Sequence, residues 1–249
     1  MENQIVREAR NRFDPELHTE GYKSIHGDDS QLDSLIQLAD VKDHGIYYDL
    51  GTGNGYVGFE IVKRYKNSSV VGIDITIDSI AKNKEIAESE GFKNIDFINF
   101  DGINLPFDNL YFDGGVSRYA LHHFPDIEQS IKEIRRVTKN NGFFILSDPK
   151  TYDDDNQNFV DRFQKLKPDG HVHFYQEGEI DSLFQKHGFI KVNSFRSFIT
   201  YPRDIDERYQ SLLDNESKEI IKKYRIKIEE HQVFITVECM NTCYLKSDN

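Results

Sequence analysis

Short apolar segments alternate with amphipathic segments along the first 150 residues. Val, Ile, Leu, Phe and Tyr dominate runs of about five residues, which is typical of buried parallel strands. The predicted strands are 46–50, 69–74, 95–100, 113–117 and 143–147. Apolar residues three and four apart predict the intervening helices, at 56–65, 79–90 and 126–138. A further helix is expected from residue 29 or 30 to residue 40. This alternation predicts an α/β fold with a largely parallel sheet.

The pattern changes after residue 150, where the segments become longer. We expect helices at 152–166, 177–187 and 206–230, and strands at 189–201 and 233–245. At 249 residues, the chain is long enough for one large domain, whereas two full domains would be cramped.

The first predicted strand runs into a turn with three alternating glycines, Gly51, Gly53 and Gly55. Glycine permits positive φ and close approach of a ligand to the backbone, and the next helix would point its first N–H groups at that ligand. The spacing from Gly53 to Gly58 also matches a dinucleotide-binding turn, which leaves a NAD(P)-dependent oxidoreductase open. Asp49, however, would repel a pyrophosphate and favours a cationic or amino-bearing ligand.

These residues resemble a known family. The run Asp-Leu-Gly-Thr-Gly-Asn-Gly at 49–55 resembles motif I of the class I S-adenosylmethionine-dependent methyltransferases, and Ala-Leu-His-His-Phe at 120–124 is similar to small-molecule members, including quinone-biosynthesis C-methyltransferases. The resemblance covers about residues 46–148. It implies a Rossmann-like, seven-stranded, mostly parallel sheet flanked by helices, with an antiparallel final strand and helical lid or insertions.

Predicted strands one, two and three each carry an aspartate at or next to their carboxyl ends, Asp49, Asp74 and Asp101. Parallel strands end at the edge where α/β sheets bind ligands, so these carboxylates should share one site. The resemblance implies that Asp74 takes the ribose hydroxyls of S-adenosylmethionine and that Asp101 faces its adenine amino group. The complete expected donor set, with S-adenosylhomocysteine as product, is Asp49, Gly51, Thr52, Gly53, Asn54, Gly55, Asp74, Ile75, Asp101, Gly102 and Ser117.

Methyl transfer needs alignment, exclusion of water and, for some acceptors, a base. We expect the acceptor pocket to form from residues 16–26, 152–175 and 201–230, which are rich in Tyr, Phe and His. The candidate catalytic residues are His122, His173 and Tyr175, and no metal site is expected. His18 and Tyr22 are lid candidates.

The sequence predicts a single methyltransferase domain over 1–249, with lid helices in 1–45, a donor-binding core in 46–148 and substrate-side elements in 149–249. A net charge of −12 argues against nucleic acid as a partner. Two cysteines and no membrane-spanning apolar run indicate a cytoplasmic protein with no membrane partner, and the oligomeric state stays open. The family resemblance implies a small-molecule acceptor. A donor-binding protein without transfer activity is the alternative from another class.

Overall fold

The computed structural model of the protein describes residues 4–13, 18–19 and 29–248. One mixed sheet with helices on both faces forms the molecule. Its strands are β1 Ile46–Leu50, β2 Ser69–Asp74, β3 Ile95–Asn99, β4 Phe112–Arg118, β5 Thr138–Pro149, β6 Phe189–Asp204, β7 Lys227–Glu229 and β8 Gln232–Lys246. The helices are α1 Gln4–Phe13, α2 Asp29–Ile36, α3 Tyr56–Arg64, α4 Ile77–Ser89, α5 Ile127–Val137, α6 Phe159–Gln164, α7 Glu177–Lys186, α8 Glu207–Asp214 and α9 Lys218–Lys223, with one 3₁₀ turn at Leu121–His123.

The strand order along the sheet is β3-β2-β1-β4-β5-β8-β6. Strands β1 to β5 pair in parallel, whereas β8 runs antiparallel to both β5 and β6. The predicted Rossmann-like sheet with an antiparallel final strand is therefore confirmed. An eighth strand, β7, adds a short antiparallel pairing to β8. The order reverses between β1 and β4, which is the topological switch point where open α/β sheets bind ligands.

Strand β1 is buried on both faces because helices cover the sheet on either side. Tyr48 packs on one face with Phe112 and Phe144, and its ring centroid lies 4.7 Å from that of Phe112. Tyr47 packs on the other face, in a cluster with Val57 of α3. Because neighbouring residues of β1 pack on opposite faces of the sheet and both faces are buried, the sequence of this strand is a nearly continuous apolar run.

Two predicted helices are wrong in extent. The expected helix at 206–230 is instead α8, α9 and β7, because Asp206 and Ser217 each begin a new helix. The Asp206 carboxylate accepts hydrogen bonds from Arg208 N and Tyr209 N, and the Ser217 hydroxyl accepts one from Ile220 N. Serine and aspartate at these positions satisfy the first N–H groups of a helix.

The expected helix at 152–166 is reduced to α6. The chain before it forms turns, and the buried Asp155 carboxylate accepts hydrogen bonds from Phe159 N and Val160 N. These amides begin α6 and have no partner within the helix, so Asp155 fixes the start of α6 well after residue 152.

Helix α1 lies over the carboxyl edge of the parallel strands. Val6 and Ala9 are its buried residues, and Arg10 Nε donates a hydrogen bond of 2.7 Å to the carbonyl of Ile75, just after β2. Tyr22, one of the two lid candidates, lies outside the described residues. No helix in the described ranges has the length and apolar character to cross a membrane.

Candidate functional site

A cavity of about 630 Å³ lies at the switch point, between the turn after β1, the end of β2 and helix α1. Eight residues of the expected donor set line it: Asp49, Gly51, Thr52, Gly53, Asn54, Asp74, Ile75 and Gly102. Val6, Ala9 and Phe13 of α1 also line this donor cavity, as does the lid candidate His18.

Asp49 joins the turn to the start of α3. Its Oδ2 accepts hydrogen bonds from Thr52 Oγ1 at 2.7 Å and from Gly58 N at 3.1 Å. The side chain is buried, and this burial raises the pKa of Asp49 to about 6 despite the two hydrogen bonds. The turn therefore places a buried acid beside the donor cavity whose charge depends on pH near neutrality.

Gly51 packs directly against the loop after β4. Its φ is +73°, and a Cβ atom added there would lie 2.3 Å from Cβ of Ala120. No other residue type fits this position, because a side chain would combine steric overlap with left-handed backbone strain. Packing against Ala120 is thus one reason why position 51 requires glycine.

Asp74 connects the end of β2 with the glycine turn. Its Oδ2 accepts a hydrogen bond from Gly53 N at 2.7 Å, and its Oδ1 accepts from Thr76 N at 3.0 Å and Thr76 Oγ1 at 2.8 Å. Burial raises the pKa of Asp74. Each carboxylate oxygen can accept two hydrogen bonds, and Asp74 lines the cavity.

Three residues of the expected donor set do not line the cavity. Gly55 is the N-cap residue of α3 with φ 79°, and Ser117 is fully buried within β4. Asp101 closes the turn after β3, where its Oδ1 accepts from Ile103 N at 2.8 Å and Asn104 N at 2.7 Å. These two hydrogen bonds hold the pKa of Asp101 below its usual value, although burial opposes them.

Sequence reasoning missed Arg118 and Tyr119, at the end of β4, as residues of the donor cavity. Arg118 and Tyr119 line it, and the Arg118 guanidinium lies 5.1 Å from the ring centroid of Tyr56 and 4.3 Å from that of Tyr119. Strand β4 ends beside β1 at the same edge, so its last residue could have been added from the strand order alone.

A second cavity of about 710 Å³ adjoins the first. Phe13, Tyr119 and His123 line both. Most of the other lining residues come from the chain after β5, including residues of 164–174 and 201–209, and Arg12, Thr19 and His122 complete the lining. This is the region in which the sequence predicts the acceptor pocket.

His122 lines the second cavity and is held by a buried carboxylate. Its Nδ1 lies 2.9 Å from Asp148 Oδ1, and its backbone N donates to Asp148 Oδ2 at 3.1 Å. Burial raises the pKa of Asp148 well above its usual value. The imidazole of His122 is therefore fixed in position by the end of β5.

His123 lies at the junction of the two cavities. Burial lowers the pKa of its imidazole well below the usual value, and the neighbouring His122 adds to this effect. Its Nδ1 is buried and has no hydrogen-bond partner among the residues that the structure describes. A neutral imidazole with a free ring nitrogen can accept a proton or a hydrogen bond.

His173 and Tyr175 line neither cavity. His171 Nε2 lies 2.7 Å from Asp161 Oδ1, and His173 Nδ1 contacts the other oxygen of the same carboxylate. The Asp161 hydrogen bond raises the pKa of His173. The Tyr175 ring packs edge-on against His173, with centroids 4.7 Å apart. The two histidines thus share a face, as the spacing predicts, but that face is directed at Asp161.

The strand order, the glycine turn and the strand-end aspartates together define the class I methyltransferase fold. A family model described as a methyltransferase domain matches residues 42–224, and the chain belongs to this family. The match decides between the two interpretations of the glycine turn in favour of the methyltransferase family.

Curated relatives agree with this assignment. Uncharacterized methyltransferase YcgJ of Bacillus subtilis is 26% identical over 65% of this chain and 64% of its own length. 2-methyl-6-phytyl-1,4-hydroquinone methyltransferase 1 of Oryza sativa is 28% identical over 66% of this chain and 47% of its own length. The chain thus spans about half to two thirds of the length of these two relatives.

Solved structures share the fold. The crystal structure of the YcgJ protein superposes with a TM-score of 0.77 at 21% identity, covering 89% of this chain and all of that one. A Haemonchus contortus phosphoethanolamine N-methyltransferase, solved with S-adenosylhomocysteine, superposes with a TM-score of 0.68 at 14% identity, covering 99% of this chain and 61% of that one.

Proposed function

We propose that the protein transfers a methyl group from S-adenosylmethionine to a small-molecule acceptor. The observation that carries the proposal is the adjoining pair of cavities, which meet at Phe13, Tyr119 and His123. One cavity is lined by the residues that the family resemblance assigns to the methyl donor. The other, which we call the acceptor cavity, is large enough for a small organic molecule.

In the donor cavity, Asp74 Oδ2 accepts a ribose hydroxyl in addition to Gly53 N. Asp49 supplies negative charge for the ammonium group of the donor. Asp101 is the proposed partner of the adenine amino group, and its Oδ2, which accepts one hydrogen bond from Asn104 Nδ2 at 3.2 Å, keeps an acceptor position for it. Gly102, which lines the cavity, brings the backbone next to the same group.

When bound, S-adenosylmethionine supplies a methyl group that is already activated for in-line displacement. The chain has to align the acceptor, exclude water and take up a proton where the acceptor loses one. His123 is placed for this step, because its imidazole is neutral and the residue lines both cavities. The cavities are covered by α1, whose Phe13 lines both.

The three catalytic candidates predicted from the sequence, His122, His173 and Tyr175, do not all line the acceptor cavity. His122 lines the acceptor cavity and is held by Asp148, which suits a role in shaping it. His173 and Tyr175 remain predicted acceptor contacts, although they lie outside both cavities. Their positions favour His123 over them.

The proposal includes a cytoplasmic location and no nucleic-acid partner. The net charge of −12 opposes binding to a phosphate backbone. Both cysteines, Cys239 and Cys243, are free and buried, as is common in a reducing compartment.

Two measurements test the function. Isothermal titration with S-adenosylhomocysteine and with NADH should show binding of the first alone. Incubation with methyl-labelled S-adenosylmethionine and a small-molecule extract should then transfer label to a small compound. Binding without any transfer would instead identify a donor-binding protein, and binding of NADH alone would contradict the proposal.

A further inference from the structure

Two side chains that line the acceptor cavity each have a buried hydrogen-bond donor with no acceptor among the described residues. Gln164 at the end of α6 is only 3% exposed, and its Nε2 has no partner in the described part of the chain. Nε of Arg203 on β6 is likewise buried and unpaired among those residues. Both side chains line the cavity. Unpaired buried donors are costly, so an acceptor atom, from water or from a bound molecule, would stabilise both.

The orientation of the Gln164 amide is fixed by Arg203. Arg203 Nη2 donates a hydrogen bond of 2.8 Å to Gln164 Oε1. A guanidinium group has donors only, so rotating the amide by 180° would place an NH₂ group against an N–H group. The unpaired atom of Gln164 is therefore its donor nitrogen, and only an acceptor atom can satisfy it.

Arg203 forms no salt bridge with a carboxylate of the described residues. Its Nη1 donates to the Pro202 carbonyl at 2.8 Å, and its guanidinium lies 5.1 Å from the ring centroid of Tyr201. Across the described ranges, no Asp or Glu side chain lies within ion-pair distance of it. Two other cations that line the cavity do have such partners: Arg208 pairs with Asp206 at 2.6 Å, and Lys167 pairs with Asp169 at 3.6 Å.

We propose that the acceptor cavity binds its substrate through an anionic oxygen group, a carboxylate or a phosphate, that accepts hydrogen bonds from Gln164 Nε2 and Arg203 Nε. A charge-assisted hydrogen bond to arginine is stronger than a neutral one. The group anchors one end of the molecule, so that the methyl-accepting end points to His123. This inference rests on the proposed function, because the anchored molecule is the methyl acceptor.

The test uses three probes that share a six-carbon chain: hexanoate, hexyl phosphate and the neutral hexanamide. Each is titrated into the full chain saturated with S-adenosylhomocysteine, by calorimetry and by thermal unfolding. We expect hexanoate or hexyl phosphate to raise the melting temperature by about 2–5 °C at ten times its Kd, and hexanamide to have no effect. The two anion arms distinguish carboxylate from phosphate.

Two variants test whether Gln164 and Arg203 bind the anion. Gln164→Glu removes the donor and neutralises Arg203, and Arg203→Gln removes the charge. Each should weaken binding of the anion at least tenfold. Gln157→Glu on an exposed loop and Arg162→Gln, whose side chain pairs with Glu216, make the same charge changes away from the cavity and should bind as the parent chain does.

Several results would overturn the inference: no binding of either anion, equal binding of hexanamide, or equal binding by the cavity variants and their controls. The affinity for S-adenosylhomocysteine, measured in the same samples, separates the two proposals. If the parent chain binds S-adenosylhomocysteine but neither anion, only the proposal of an anionic acceptor is contradicted. If the parent chain binds the anion but not S-adenosylhomocysteine, only the methyltransferase function is contradicted.

Discussion

The backbone N–H of Gly53 donates a hydrogen bond of 2.7 Å to the carboxylate of Asp74. This contact joins the turn after β1 to the end of β2, so the two segments that form the donor cavity hold each other in place. The same carboxylate also accepts from Thr76 N and Oγ1, which fixes the start of α4. One side chain thus shapes the loops as well as presenting an acceptor to a ligand.

Asp74→Ala is expected to weaken binding of S-adenosylhomocysteine by roughly 1–3 kcal/mol, about 5- to 150-fold. The substitution leaves the ribose hydroxyls without an acceptor and releases Gly53 N from its partner. Isothermal titration measures the affinity. Unchanged affinity in a folded variant would show that Asp74 does not hold the ribose.

Gly53→Val should abolish donor binding while the protein still melts cooperatively at a lower temperature. Gly53 has φ 52°, a conformation that is strained for a β-branched residue, and it lines the donor cavity. Gly91→Ala provides the control, because Gly91 also has positive φ but has no atom within 4 Å of an added Cβ. Gly91→Ala should lose about 1 kcal/mol of stability and bind normally. Retained binding by Gly53→Val would place the donor elsewhere.

The sequence predicts the parallel half of the fold well because its strands are short, apolar and bounded by turns. The donor cavity follows from the same pattern, since strand-end aspartates meet at the edge of a parallel sheet. The C-terminal half was less predictable. The helix-forming residues of 206–230 hide two helix starts, at Asp206 and Ser217, which only their hydrogen bonds to the following amides reveal.

The acceptor side shows another limit of sequence reasoning. The alternation of His171 and His173 correctly predicts a shared face, but alternation cannot say what that face contacts, and here it is Asp161. Likewise, Arg203 and Gln164 are 39 residues apart and their pairing has no local sequence pattern. Contacts between distant segments required the structure.

The affinity for S-adenosylhomocysteine should rise about tenfold between pH 5 and pH 7. Burial raises the pKa of Asp49 to about 6, so the carboxyl group is mostly protonated at pH 5 and mostly ionised at pH 7. The ionised form attracts the ammonium group of the ligand. Isothermal titration across this range measures the change, and Asp49→Asn should remove it. A flat profile in the parent chain would show that Asp49 does not interact with that ammonium group.

Ionisation of Asp49, which should strengthen ligand binding, lowers the stability of the ligand-free protein. The folded-state pKa of Asp49 lies above its value of about 3.8 in an unfolded chain, so the folded state binds more protons between these values. The free energy of unfolding therefore falls by about 2 kcal/mol from this group as pH rises from 4 to 6. Urea unfolding of Asp49→Asn should lack this contribution, and an identical pH dependence in both proteins would contradict it.

Arg10→Ala is expected to weaken donor binding and to speed hydrogen exchange in α1. Arg10 Nε donates to the Ile75 carbonyl at 2.7 Å, which fastens α1 over the donor cavity. Arg7 is exposed on the same helix, so Arg7→Ala is the matched control. S-adenosylhomocysteine should protect α1 from exchange in the parent chain and in Arg7→Ala. Equal protection in Arg10→Ala would mean that this hydrogen bond does not hold the helix in place.

His123→Ala should lower turnover at least a hundredfold, the usual contribution of a general base, with little change in S-adenosylhomocysteine affinity. His123 lines both cavities, its Nδ1 has no partner among the described residues, and its imidazole is neutral because burial lowers its pKa. His173→Ala and Tyr175→Phe test the competing prediction from the sequence, that these two residues contact the acceptor. All three variants are compared by turnover with the acceptor identified by label transfer. A large loss confined to His123→Ala assigns proton transfer to the junction of the cavities, whereas a loss confined to His173→Ala or Tyr175→Phe would place the acceptor near Asp161 instead.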